Sequence, residues 1–381
     1  MRISKLFPLN PLLELEVETS DEDLLRFFEI KFADLYPSST QGSNSRLKVR
    51  IQEVPYIDIA SPQVIRKIGV PELCLFDEKT FVIVRDKKRI KIPFLEIGQA
   101  SDLDITFETG FPVDWLRRYL DGLVAFHLIG KGASLYHAAC VKRGECEIII
   151  PAWRGTGKTT LALYLLEDRS SAYKAEDQFV LKGTGESYAY TDACHIDFKH
   201  MDQFPAIKRK CRSLDLALRT AVVRTVLPLI PPRGRVLTIA HRGLLKVLAP
   251  KVFIKLRDCI PDLQISTRQP ARRIVLQLIA QRDVVEPVIE PIDVGTLVRR
   301  TVGGMQYERE EFYIMYCAFV YATGRRNCVI DNAVERETQI LCKALERAAC
   351  YEVRIGDNWP ENFGHITQFL QKYLLRKGED R

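Results

Sequence analysis

The chain has 381 residues, of which 46% are hydrophobic and 28% are charged, and its formal net charge is +7. These values are typical of a globular protein and exclude a disordered or fibrous chain. No apolar run approaches the roughly 18 residues that a membrane-spanning helix needs, and residues 1–5 lack the pattern of a signal peptide. We therefore expect a cytoplasmic protein without membrane partners, long enough for more than one domain.

The first 112 residues alternate the patterns of strands and helices. Ser20, with acidic residues at the next three positions, predicts the start of a helix that runs to Phe32. We expect an α+β module here, and we find no group of chemically active residues in it. Its predicted strands span residues 13–18, 47–54, 73–76, 80–85, 90–94 and 102–108, with a turn at residues 86–88.

The following part, residues 113–292, centres on a hairpin, a turn and a helix. The hairpin has predicted strands at 135–142 and 145–150 and turns at Arg143 and Gly144. An apolar strand over 173–181 comes after the turn and its helix. The other predicted elements are helices over 112–128 and 159–167 and strands over 188–191, 252–256 and 274–279.

The last part, residues 293–381, is predicted to be mostly helical. It includes a helix over 333–349, a strand over 351–355 and a closing helix over 363–375. The predicted fold class is therefore α/β or α+β. We expect three parts: an N-terminal α+β module at 1–112, a central domain at 113–292 and the helical region at 293–381.

The most specific motif follows the hairpin, where residues 152–160 read Ala-Trp-Arg-Gly-Thr-Gly-Lys-Thr-Thr. The glycines let the backbone approach a ligand closely, and amide groups at the start of a helix point at an anion. In such loops the lysine reaches the β- and γ-phosphates of a nucleotide, and the next hydroxyl binds Mg²⁺. The sequence therefore predicts a nucleotide phosphate site formed by Arg154, Gly155, Thr156, Gly157, Lys158, Thr159 and Thr160.

Two acidic residues, Glu176 and Asp177, interrupt the apolar strand that follows the loop helix. Phosphoryl transfer to an alcohol needs one carboxylate for Mg²⁺ and one that takes the hydroxyl proton. Adjacent carboxylates at a kink in a strand can supply both, and the sequence leaves open which of them is the base. His137, on the strand before the loop, is a further catalytic candidate, although a histidine buried in the core explains it equally well.

Together these elements resemble HPr kinase/phosphorylase and its relatives, which share a fold with phosphoenolpyruvate carboxykinase. That family has a histidine-containing strand, a hairpin, a phosphate-binding loop, a helix and a pair of aspartates, in the order found here over residues 137–181. The resemblance covers about residues 115–292. Ala152 stands in place of a glycine and Glu176 in place of the first aspartate, and the glycine-rich signature of HPr phosphorylase activity is missing.

The resemblance implies a role for each motif. Lys158 and the loop amides would hold the phosphates of ATP, while Thr159 and Asp177 would hold Mg²⁺. Glu176 or Asp177 would deprotonate the acceptor hydroxyl, and His137 would lie near the γ-phosphate. The implied enzyme is a kinase of this fold whose acceptor is not HPr.

The positive charge is concentrated downstream of the loop. Residues 206–273 carry sixteen Lys and Arg residues against three acidic residues, a net of +13, so the remainder of the chain is net negative. A solvated basic surface explains this as well as an anionic ligand does. Arg242, in this segment, is a weaker catalytic candidate that could neutralise charge during transfer.

We therefore expect an ATP- and Mg²⁺-dependent kinase that acts on a hydroxyl, either of a serine in a protein or peptide or of a small, anionic molecule. Two alternatives remain open: a non-catalytic regulator that binds a nucleotide, and a kinase that acts on a hydroxyl of a nucleic acid. The acid pair favours an enzyme, because a pure sensor needs no base. Carboxykinase chemistry is disfavoured, since the chain is short for that family, and an oligomer is compatible with the sequence.

Overall fold

The computed structural model describes residues 2–32, 47–60, 62–66, 73–77, 80–191, 193–197, 203–210, 251–260, 263–266, 269–356 and 359–376. The chain divides into two compact units, one made of Met1–Thr191 and Ile265–Arg381 and the other of Asp192–Gln264. The first unit is mixed α/β, with two eight-stranded sheets and several helices. The predicted class is thereby confirmed at this level, while the predicted division at residues 112 and 292 stays a prediction.

The first sheet contains the strands of the N-terminal residues, in the order β1-β2-β3-β8-β7-β6-β5-β4. Two parallel pairs, β2 with β3 and β3 with β8, lie beside antiparallel pairs. Helix α1 (Glu22–Phe32) follows β2 and packs its apolar side against β1 and β2. The strands are β1 (Ile3–Asn10), β2 (Leu13–Thr19), β3 (Leu47–Val54), β4 (Gln63–Arg66), β5 (Leu73–Phe76), β6 (Phe81–Arg85), β7 (Lys88–Lys91) and β8 (Asp102–Glu108).

The second sheet begins after the long helix α2 (Val113–Gly130), which packs against its first strand, β9. β9 pairs antiparallel with β10, with β11 and with β12, and β12 pairs with β13. The phosphate-loop segment lies between β10 and α3. These elements are β9 (Ala133–Arg143), β10 (Cys146–Pro151), α3 (Lys158–Leu165), β11 (Ser171–Ala175), β12 (Gln178–Lys182) and β13 (Ser187–Ala189).

The second unit contributes a separate antiparallel pair of strands, β14 (Ala193–Asp197) and β15 (Lys251–Lys255). Two short helices, α4 (Pro205–Lys210) and α5 (Leu256–Cys259), belong to it as well. Most of the basic segment 206–273 falls in this unit, and residues 211–250, which include Arg242, lie outside the described residues.

The rest of the chain completes the second sheet and covers it with helices. β16 (Arg272–Ala280) pairs in parallel with β10 on one side and with β18 (Ala349–Ile355) on the other, and β17 (Val288–Pro291) lies at the edge. Parallel central strands are buried on both faces, and β10 is buried along its whole length. The helices are α6 (Val294–Glu308), α7 (Glu310–Thr323), α8 (Cys328–Asp331), α9 (Ala333–Leu345) and α10 (Trp359–Arg376).

Several predicted elements are confirmed and others are corrected. The hairpin at 135–150 is confirmed, as is the interruption of the apolar strand, since β11 ends at Ala175 and β12 begins at Gln178. The bounds of the strand predicted over 90–94 are wrong, because β7 spans Lys88–Lys91. Asp86 and Lys87 have φ of 46° and 67° and form a two-residue hairpin turn, so the strand begins directly after them. The predicted helix over 333–349 ends earlier, at Leu345, and Ala349 is already the first residue of β18, which pairs with β16.

A network of buried charges ties four strands of the second sheet together. The Lys174 side chain on β11 and the Glu147 side chain on β10 have no exposed surface, and the lysine Nζ donates to the glutamate Oε1 at 2.6 Å. Arg273 on β16 donates from Nε to the other glutamate oxygen at 2.8 Å, and the Ser187 hydroxyl on β13 donates to Glu147 at 2.8 Å. Charged groups this deeply buried are tolerated only when they are paired and hydrogen-bonded.

None of the described helices is both long and apolar enough to cross a membrane. Of the nine described cysteines, six are buried and all nine are free thiols. Cys317 is exposed on α7. Its neighbours on the helix, Tyr316 and Phe319, point inward instead.

Candidate active site

The phosphate-loop segment leaves the end of the buried strand β10 and enters α3 through a tight turn. Ala152 still forms a β-bridge with Leu278 of β16, so this position keeps strand-like pairing and does not require glycine. Gly155 and Gly157 have φ of 81° and 96°, in the region that favours glycine, and Gly157 caps the helix. The turn is closed by a hydrogen bond from the Thr156 amide to the Trp153 carbonyl at 3.2 Å.

Lys158, the first residue of α3, lies between His137 and Asp177. Its Nζ donates to Asp177 Oδ1 at 2.6 Å and lies 2.9 Å from His137 Nε2. The lysine side chain is 9% exposed and the aspartate side chain 37%, so the ion pair is formed at the border between core and solvent. His137 Nε2 and Asp177 Oδ1 are 3.6 Å apart, and the three groups form one cluster.

Strand pairing explains why these residues meet. β9 is long enough to pair with β11 near its end and with β12 near its start, with Cys140 opposite Ala175 and His137 opposite Gln178. The acid pair occupies the break between β11 and β12, so it lies beside His137. α3 then brings Lys158 back against β9.

Glu176 occupies a different position from its neighbour. It is 3% exposed, and its Oε1 accepts a hydrogen bond from the Thr159 hydroxyl. The site thus has two carboxylates with separate contacts, Glu176 on the hydroxyl after the loop lysine and Asp177 on the lysine itself. Carboxylate and hydroxyl oxygens, completed by phosphate oxygens, are the ligands that Mg²⁺ prefers. Among the described residues, three or more His, Cys, Asp or Glu side chains nowhere cluster into a metal site of their own.

Burial, followed by the positive charge of Lys158, lowers the pKa of His137 to about 4. The imidazole is therefore neutral near pH 7, and its Nε2 can accept a hydrogen bond from the lysine ammonium. The His137 amide donates to Met305 Sδ of α6 at 3.4 Å, which attaches this helix to the strand. A neutral ring at this place orients Lys158 and adds no charge to the site.

Arg309, directly after α6, fixes that helix over the site. Its guanidinium donates to the Leu135 carbonyl on β9 at 2.9 Å and to Glu337 of α9 at 2.7 Å. α6 forms one wall of a cavity of about 170 Å³ beside the loop. The cavity is lined by His137, Pro151, Ala152, Trp153, Arg154, Gln277, Leu278, Ile279, Arg300, Thr301, Gly304, Met305 and Glu308.

Lys31, at the end of α1, is a second buried lysine whose charge interacts with that of Asp177. Its Nζ donates to Asp121 Oδ1 of α2 at 2.6 Å, and the Tyr190 hydroxyl donates to the same oxygen at 2.9 Å. Burial lowers the pKa of Lys31, whereas the charges of Asp121 and, less strongly, of Asp177 raise it. The sequence does not predict a role for this residue, because a single lysine on an amphipathic helix gives no functional signal.

The structure brings His137, Lys158, Thr159, Glu176 and Asp177 together. Arg154 and Gly155 are exposed on the loop, while the Thr156 and Thr160 side chains are buried beneath it. Gln277, Met305 and Arg309 were not predicted from the sequence. Gln277 lies in an apolar strand, Met305 in a distant helix and Arg309 directly after that helix. None of them belongs to a sequence pattern that indicates contact with a loop more than a hundred residues earlier.

The chain matches no protein-family model, and the search of curated proteins gave no match either. The relationship to HPr kinase therefore stays a prediction that depends on residues 137–181. The geometry of these residues is the basis for a proposal about function.

Proposed function

We propose that the protein is an ATP- and Mg²⁺-dependent kinase that transfers the γ-phosphate of ATP to a hydroxyl, and that its second sheet is a P-loop kinase core of the HPr kinase and phosphoenolpyruvate carboxykinase type. The convergence of His137, Lys158, Thr159, Glu176 and Asp177 carries the proposal. A nucleotide sensor needs the loop lysine and the hydroxyl. It does not need a second, more exposed carboxylate beside the lysine.

The contacts favour a division of labour between the two acids. Glu176 accepts from the Thr159 hydroxyl and is buried, which suits a carboxylate that holds Mg²⁺ together with Thr159. Asp177 is more exposed and lies beside His137, which suits the base. This reverses the assignment of Mg²⁺ to Asp177 that the family resemblance implies. Bound Mg²⁺ would neutralise charge on the phosphates.

The proposed step is a displacement at the γ-phosphorus. The acceptor oxygen forms a new bond to phosphorus while the bond from phosphorus to the bridging oxygen of ADP breaks, and ADP leaves with that electron pair. The hydroxyl proton passes to the Asp177 carboxylate. Lys158, released from Asp177, compensates negative charge on the phosphates, and the products are ADP and a phosphate monoester.

Replacing the loop lysine tests the proposal. Lys158→Ala should weaken ATP binding and abolish phosphate transfer, because a charge-assisted contact with the phosphates is lost. Isothermal titration calorimetry with ATP and Mg²⁺ measures binding. Mass spectrometry of a lysate incubated with the protein, ATP and Mg²⁺ detects newly phosphorylated species. Lys343→Ala, an exposed lysine on α9, is the matched control and should behave as wild type.

The outcome separates the proposed kinase from its alternatives. Unchanged ATP affinity in the Lys158→Ala protein excludes a phosphate site at this loop. ATP binding without any phosphorylated product in the wild-type reaction supports a nucleotide-binding regulator instead of an enzyme. The prediction of an anionic acceptor rests on residues 206–273, which lie mostly outside the described residues.

A further inference from the structure

The cavity beside the loop opens at the reactive end of the candidate active site. His137 lines it, and the same imidazole contacts Lys158 at 2.9 Å and lies 3.6 Å from Asp177. The loop lysine of such motifs serves the β- and γ-phosphates, so a molecule in this cavity would meet the transferring end of ATP. The first residues of the loop, Ala152 to Arg154, form the adjoining wall.

Gln277 gives the cavity a buried polar group that lacks a partner. It lies on β16 between β10 and β18 and is 6% exposed. Its Oε1 has no hydrogen-bond partner among the residues that the structure describes. Leaving a buried acceptor unpaired is unfavourable, so a ligand that donates a hydrogen bond here would recover a free-energy loss already built into the fold.

The size of the cavity limits the ligand. Its volume of about 170 Å³ is close to that of an engineered cavity of about 150 Å³ that takes a six-membered ring. A purine with its ribose, or a stretch of nucleic acid, does not fit such a space. The ligand, or the part of it that enters, therefore has about the size of one small ring or short branched chain.

The walls offer a flat apolar face and hydrogen-bonding groups of both kinds. The Trp153 ring lies 5.1 Å from the Tyr307 ring, and it also lies beside Gly304 of α6. Arg154 and Arg300 donate, whereas Gln277 and Glu308 accept, and Arg300 is already paired with Glu352. The charges of the walls nearly balance, so the cavity suits a neutral molecule better than an anion.

We propose that this cavity binds the phosphate acceptor and that the acceptor is a small polyhydroxylated molecule, a polyol or a single sugar ring. Each hydroxyl of such a molecule both donates and accepts a hydrogen bond, which matches walls that carry donors and acceptors. The C–H face of the molecule can lie on the Trp153 ring. The inference rests on the proposed kinase function. One hydroxyl oxygen forms the bond to the γ-phosphorus of ATP, its proton goes to Asp177, and ADP leaves.

The test uses the full-length protein with ATP, Mg²⁺ and four separate probes: glycerol, ribitol, myo-inositol and glucose. ADP release is followed by a coupled assay, and the phosphate ester is identified by phosphorus NMR. At least one probe should raise ADP release above the rate without acceptor. A serine-containing peptide of mixed sequence is assayed in the same way, as the alternative acceptor.

Gln277→Met then tests the binding site, because methionine keeps the length of glutamine and removes its hydrogen-bonding groups. We expect the acceptor KM to rise at least tenfold while the KM for ATP stays within twofold. Gln281→Met, at an exposed glutamine four residues further along, is the matched control and should change neither value. Circular dichroism checks that both variants fold.

The outcomes of this test are separable from those of the kinase test. ATP binding by calorimetry decides the proposed function independently of any acceptor. If ATP binds and none of the four probes stimulates ADP release, the polyol inference is overturned, and stimulation by the peptide alone assigns the acceptor to a serine. An unchanged acceptor KM in Gln277→Met also overturns it, because the acceptor would then bind elsewhere.

Discussion

Lys158 shows how one side chain can be satisfied before its ligand arrives. In this structure the ammonium is held by Asp177 at 2.6 Å and by the neutral His137. Phosphates that enter the loop must therefore compete with a carboxylate for the same donor. The ion pair keeps Lys158 extended toward the site, and it also reduces the affinity that the loop would otherwise have for an anion.

Replacement of each acid separately tests the proposed roles. Asp177→Asn should lower phosphate transfer by about 10²–10⁴, the usual worth of a general base, while ATP affinity stays equal or increases because a competing charge is removed. Glu176→Gln should raise the Mg²⁺ concentration needed for half-maximal binding. Calorimetry with ATP at several Mg²⁺ concentrations and single-turnover assays measure both.

Asp104→Asn, an exposed aspartate on β8 that pairs with Arg50, is the control for the loss of one negative charge. It should change neither ATP affinity nor transfer. The opposite pattern, in which Asp177→Asn abolishes Mg²⁺-dependent binding and Glu176→Gln loses only transfer, would restore the roles that the family resemblance implies.

A second histidine, His127 on α2, couples folding to pH. Burial lowers the pKa of His127 to about 4, and its Nδ1 accepts from the Gly98 amide at 2.9 Å. Free histidine titrates near pH 6.5, so between these values the unfolded chain binds a proton that the folded chain does not. The stability is complete above about pH 6.5 and falls as the pH drops toward 4.

His127→Gln should remove this dependence, because glutamine has no titrating group. We expect the loss of unfolding free energy between pH 7 and pH 5 to be about 2 kcal/mol smaller in the variant than in the wild type. Urea denaturation at the two pH values measures it. His365→Gln, at an exposed histidine on α10, should retain the wild-type slope, and a wild-type slope in His127→Gln would contradict the lowered pKa of His127.

The buried charges of Glu147, Lys174 and Arg273 connect β10, β11 and β16. Glu147→Gln should lower the free energy of unfolding by about 3–5 kcal/mol, because the lysine is left buried without its counter-charge. Urea denaturation followed by circular dichroism measures the loss. Glu186→Gln, which breaks the more exposed pair with Lys182, should cost below about 1 kcal/mol.

A replacement of both partners sharpens this test. Glu147→Gln combined with Lys174→Met should recover part of the loss, since the unpaired ammonium is gone. The double variant could instead lose more unfolding free energy than the two single variants lose together. That result would mean that the two strands need the polar pair for their packing.

The elements of the site differ in how well the sequence predicts them. The loop, the hairpin and the acid pair follow from local patterns, since glycines at fixed spacing, a turn and an interrupted apolar run are all visible within residues 135–181. Lys174 gives no such signal, because its partner Glu147 lies on β10, and the two strands are brought together by the pairing of each with β9. Gln277 gives no signal at all, because the cavity it lines is completed by α6.

The positive charge of the segment 206–273 and the nearly balanced charge of the cavity walls lead to different expectations about the effect of salt on the acceptor KM. The positive and negative charges of the cavity walls nearly cancel. We therefore expect the acceptor KM to change less than twofold between about 50 mM and 500 mM KCl. Added salt screens the attraction between exposed charges, and it has little effect on the binding of a neutral molecule. A steep increase in acceptor KM would instead support the anionic acceptor predicted from residues 206–273.

Charge reversal at Lys208 and Arg209, both exposed on α4, is the companion measurement. The double variant Lys208→Glu and Arg209→Glu should leave the acceptor KM and the KM for ATP within twofold if the basic residues form a solvated surface. A selective rise in the acceptor KM would assign them to acceptor binding.

The parallel pairing of β10 with β16 has a consequence for how the chain is made. β10 ends at Pro151 and β16 begins at Arg272, so the strand that carries the phosphate loop is synthesised roughly ten seconds before its neighbour at common rates of translation. During that interval one edge of a mostly apolar strand has no partner, which is a template for pairing with other nascent chains. Ribosome-associated chaperones are thus most needed by this protein while residues 152–280 are being translated.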